Sequence, residues 1–126
     1  MAIIFRLMAA VFLTLSCGAG FAQQYPAKPL RLVACHHPLV EADTHSTAST
    51  RGGPAALAAL ARAGASAVLS GHVHDPFDKT VEIDGQSIRM IGAGTLSRRL
   101  RTSAPSFNRI GIGADWSLDV GVETLG

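Results

Sequence analysis

Metal chemistry is the first possibility this chain raises, because all five of its histidines fall between His36 and His74. His36 stands in Cys35-His36-His37-Pro38-Leu39, and His72 and His74 stand in Gly71-His72-Val73-His74. Each group directly follows a short apolar run. Imidazole is the commonest side-chain ligand of first-row transition ions, and a His-x-His pair behind a strand can aim its rings at neighbouring ions. Gly71 would let the backbone approach a bound group closely. His36, His72 and His74 are therefore the candidate metal ligands. The sequence assigns no catalytic or substrate-binding residue beyond them.

The elements that must position these histidines are legible from periodicity and punctuation. Leu30 to Cys35 is a short apolar, β-branched run that reads as a buried strand, with Cys35 as one of its buried residues. The polar stretch from Glu41 to Arg51 is a loop. A helix is expected from about Pro54 to Ala63, with proline in its first turn, Leu57, Leu60 and Ala61 on one face, and Gly64 as the stop. Ser66 to Ser70 reads as a second buried strand. Strand, helix, strand is the pattern of a parallel α/β layer, whose chemistry gathers at the carboxyl ends of the strands. His36 follows the first strand and His72 the second, so both are expected at one sheet edge. Beyond them, Lys79 to Ile83 and Ser87 to Ile91 flank an Asp84-Gly85 turn, a hairpin signal. Phe107 to Ile112 and Trp116 to Val122 alternate like two further antiparallel strands.

The histidine groups and their spacing resemble the calcineurin-like metallophosphoesterases over residues 31 to about 113. The carrying elements are an apolar strand, His36-His37-Pro38, a helix, a second apolar strand and Gly71-His72-Val73-His74-Asp75-Pro76. Gly92-Ala93-Gly94-Thr95 and Phe107-Asn108-Arg109-Ile110 look like that family's C-terminal portion. The resemblance implies an α/β sandwich and metal-dependent phosphoester hydrolysis on two divalent ions, Mn, Fe or Zn, with a small phosphoester as partner. His36 and His72 would serve one ion and His74 the other, and no ligand role falls to His37. The family's Asp-x-His, Gly-Asp-x-x-Asp and Gly-Asn-His-Asp/Glu elements are missing from residues 1 to 35. Asp43-Thr44-His45 spells the first of these, but it sits inside a polar loop and reads as coincidence. The domain at residues 31–126 is therefore expected to be the later part of such a sandwich, with impaired activity.

Residues 1–22 carry Arg6, an apolar stretch from Leu7 to Leu15 and a small-residue end at Gly20-Phe21-Ala22, the pattern of a secretory signal peptide. The stretch is too short and too interrupted for a transmembrane span. Cleavage after Ala22 would remove Cys17, leave Cys35 without a disulfide partner and place the chain in the periplasm or outside the cell. Residues 23–30 are an extended linker. The segment from Ala22 to Val33 resembles the mature N-terminus of the solute-binding receptors of tripartite tricarboxylate transporters. A join between Arg31 and Cys35 would account for both resemblances. The rival reading from another class is a non-catalytic periplasmic binding protein, either a remnant of such a receptor or a His-rich metal binder.

Composition narrows the remaining classes. The 126 residues are 48% hydrophobic and 16% charged, which is globular, and the formal net charge of +2 is too small to make nucleic acid the main partner. Arg98, Arg99, Arg101 and Arg109 cluster locally, and the first three belong either to a phosphate contact or to a solvated loop. Asp75 and Asp78 follow the histidine pair, where Asp75-Pro76 reads as a turn. Trp116 is expected to pack on the terminal hairpin.

Overall fold

A computed structural model of the chain describes residues 28–44, 50–97 and 103–125. The expected signal peptide, most of the linker, Cys17, His45, Arg98, Arg99 and Arg101 lie outside the described residues. The architecture is mixed α/β: β1 (Leu32–Ala34), α1 (Gly53–Arg62), β2 (Ala67–Ser70), β3 (Phe77–Ile83), β4 (Gln86–Gly92), β5 (Ser106–Ile112) and β6 (Leu118–Thr124). The first four strands form one sheet in the order β1-β2-β4-β3, and β5 and β6 form a separate two-stranded sheet. β1, β2 and β4 run parallel, while β3 returns antiparallel beside β4. None of the helices among the described residues is long and apolar enough to cross a membrane.

The helix forms where its punctuation places it. Pro54 lies in the first turn, and Gly52 caps the end with φ 75°. At the other end Gly64 takes φ 79°, its N–H donates to Ala61 O, and the Ala65 N–H donates to Leu60 O. That pair of bonds is a Schellman closure, which glycine makes possible because it carries no Cβ penalty in left-handed backbone. The Arg31 guanidinium donates to the free Ala63 carbonyl at 2.6 Å and ties the helix end to the chain entering β1.

One face of the helix, with Leu57, Ala58 and Ala61, covers Val68 of β2 and Ile88 and Met90 of β4. Leu57 and Val68 are fully buried. The helix begins hard against the preceding loop, since a Cβ on Gly53 would sit 1.7 Å from the Leu39 carbonyl oxygen. The β5–β6 hairpin is tied to the sheet by side-chain hydrogen bonds. Asn108 Nδ2 donates to Gly92 O at 2.9 Å, and an Arg89 guanidinium N–H donates to Leu118 O at 2.7 Å.

Three local expectations change. β1 is an edge strand of three residues, so its Leu32 is 38% exposed and it is not a buried run. Cys35 lies one residue beyond β1 and is only partly buried. Trp116 stands in the β5–β6 turn with φ 64° and not in β6, which starts at Leu118. The Asp84-Gly85 turn forms as expected: φ values of 51° and 71° give the type I′ geometry that suits the twist of a two-residue hairpin.

Candidate metal centre

Parallel pairing of β1 with β2 sets Leu32 opposite Ala67, Val33 opposite Val68 and Ala34 opposite Leu69. The ladder runs past both strand ends: the Cys35 N–H donates to Leu69 O at 2.9 Å, and the Gly71 N–H donates to His36 O at 3.1 Å. His36 and His72 are carried by this register to the same carboxyl edge, although they are 36 residues apart in sequence. His72 Nδ1 lies 3.2 Å from His36 Nε2. Without an ion, one of the two nitrogens carries the proton and the other accepts it.

His37 joins them. Its ring centroid is 3.9 Å from that of His72 and 4.8 Å from that of His36. One ligating nitrogen from each of the three rings lies within 4.8 Å of the others. The backbone under His37 is held on both sides. Cys35 Sγ donates to His37 O at 3.1 Å, Pro38 is fully buried, and Thr50 Oγ1 donates to Pro38 O at 2.7 Å. Partial burial pushes the Cys35 thiol above its ordinary range, since it disfavours the thiolate. Cys35 therefore serves as a hydrogen-bond donor and stands outside the group of three imidazoles.

His74 is placed differently. Both His72 and His74 adopt left-handed backbone, with φ 68° and 65°, on either side of a buried Val73. In an extended His-x-His pair the two rings share a side. Two left-handed residues break that alternation, and His74 is not among the three clustered rings. Its Nδ1 is buried and has no hydrogen-bond partner among the described residues. Each non-glycine residue held in this conformation costs roughly 1–3 kcal/mol, and such strain concentrates at functional sites.

The nearby charged residues have other duties. Asp78 accepts hydrogen bonds from Nε and Nη2 of Arg89. Asp75 is buried and accepts a hydrogen bond from Ser103 Oγ. Asp43 pairs with Lys79 at 2.6 Å. Arg109 lies on the outer face of β5 and donates to Glu123 at 3.0 Å. Among the described residues the donor set at the cluster is thus imidazole alone. That suits a borderline ion such as Zn²⁺ better than an oxygen-seeking one such as Mg²⁺. The spacing fits as well: two nitrogens about 2.05 Å from a tetrahedral ion stand about 3.3 Å apart, against the 3.2 Å between His36 and His72.

No family model matches the chain, and no curated protein matches it.

Proposed function

We propose that this chain carries the metal centre of a phosphoester hydrolase of the calcineurin-like metallophosphoesterase type, in a reduced form with weak activity. The supporting observation is the meeting of His36 and His72 at 3.2 Å where two adjacent parallel strands end. A bound divalent ion would activate water and polarise a phosphoryl oxygen. His36 and His72 would hold that ion, Pro38 and Val73 anchor the two turns that present them, and the cluster opens to solvent so that a small phosphoester can approach. The family pattern would give His74 to a second ion, but His74 is not among the clustered rings. The leader directs the product to the periplasm, which the mass of the N-terminal peptide of exported protein would check.

The test is turnover of bis(p-nitrophenyl) phosphate by the full chain with added Mn²⁺ or Zn²⁺. Turnover above that of the free ion, lost in His72→Ala, is the expected result. A second reading is favoured by the absence of any carboxylate from the cluster among the described residues. It is metal binding without hydrolysis, in the manner of a periplasmic His-rich binder. Retained metal with no turnover above the free ion selects that reading.

A further inference from the structure

We propose that His36, His37 and His72 form a single-ion centre of three imidazoles, in which His37 is a ligand, His74 is not, and the fourth position is open. The inference uses the site of the proposed hydrolase and does not depend on its turnover.

His36 Nε2 and His72 Nδ1 are 3.2 Å apart, the separation a tetrahedral ion imposes on two of its ligands. The widest spacing in the group is 4.8 Å. Closing that gap to about 3.3 Å takes a movement of about 1.5 Å, within reach of a ring turning about its side-chain torsions. His36 and His37 are exposed, which leaves their rings room to turn. The ring planes cross steeply, at 86° for His36 with His37 and 76° for His36 with His72, so the three rings do not stack in parallel. The backbone needs no adjustment, because Cys35, Pro38 and Thr50 already fix the turn that carries His36 and His37.

Three neutral imidazoles leave the full charge of the ion unneutralised. The fourth position therefore attracts water, hydroxide or a phosphate oxygen, the open arrangement that hydrolytic zinc sites keep. Among the described residues no carboxylate shares the cluster to bridge a second ion. His74, behind the left-handed turn at His72, would supply nothing to this ion.

The experiment is Zn²⁺ titration of the full chain with the bound metal counted by mass spectrometry, beside His37→Ala and His74→Ala. One ion per wild-type chain is expected, with affinity reduced at least tenfold by His37→Ala and changed less than threefold by His74→Ala. Two ions per chain, unchanged affinity in His37→Ala, or loss of binding in His74→Ala would overturn the proposal. Should His37→Ala fail to fold, the wild-type Co²⁺ complex decides alone: intense visible absorption of a four-coordinate ion supports the centre, and the weak spectrum of an octahedral ion refutes it. Failure of the hydrolase reading looks different. One Zn²⁺ bound through His37 without phosphodiester turnover rejects hydrolysis and leaves the three-imidazole site standing.

Discussion

Replacing His72 by glycine should raise the stability of the metal-free protein while removing its response to metal. His72 sits at φ 68°, a conformation that costs an L-residue roughly 1–2 kcal/mol. Glycine takes it without that cost but adds freedom to the unfolded chain worth roughly 0.5–1 kcal/mol. The imidazole contact with His36 lies at the surface, so its loss subtracts little. The net gain is about 0.5–1 kcal/mol, a rise in Tm of about 2–8 °C for a domain of this size. Zn²⁺ at 100 times its Kd should stabilise the wild type by about 2.7 kcal/mol and leave His72→Gly unchanged. The order of the two melting temperatures should therefore reverse when Zn²⁺ is added, as followed by circular dichroism. A variant that melts below the wild type in the absence of metal would show that the left-handed turn stores no strain.

The other expectations concern packing, turn geometry and reactivity. Gly53→Ala drives a Cβ into the Leu39 carbonyl, a backbone atom that cannot step aside, and should cost about 1–3 kcal/mol or more in urea unfolding. Leu57→Ala empties a fully buried site beneath the sheet and should cost about 2–5 kcal/mol in the same assay. Gly85→Ala meets no atom within 4 Å, so its penalty should be conformational only, about 1 kcal/mol at φ 71°. Burial holds Cys35 as a thiol at higher pH than usual, so iodoacetamide should modify it more slowly at neutral pH than a free cysteine. Peptide mass spectrometry separates this residue from Cys17, and a rate equal to that of a model thiol would contradict the burial.

Where local chemistry decides, the sequence is readable. Pro54 and Gly64 bound the helix to within a residue or two, and Asp84-Gly85 can hardly be anything but a tight turn. The convergence of His36 and His72 also follows, because parallel strands joined by a helix end at one edge. What stays hidden depends on long-range pairing. Nothing in the residues from Lys79 to Ile91 says that β4 and not β3 will sit beside β2. The edge position of β1, which exposes Leu32, follows from that order and not from its apolar composition. His74 lies apart from the other rings because of two positive φ values, a conformation histidine enters more readily than most residues but that no pattern in the sequence places at these positions. His37 needs a ring-on-ring contact with a residue 35 positions later before it stands out. Its only sequence signal is adjacency to His36.

The shortness of β1 has a kinetic side. Three residues of pairing on one edge hold the segment that delivers His36 and His37, and among the described residues no strand covers its other edge. Such an edge opens locally at far lower free energy than β4, which is paired on both sides. An ion gripped by this segment and by His72 would clamp the edge shut. Amide hydrogens bonded across it, Cys35 N–H to Leu69 O among them, would then exchange with deuterium more slowly in the loaded protein than in the free one. The apparent affinity for the ion would be reduced by the fraction of time the edge stands open.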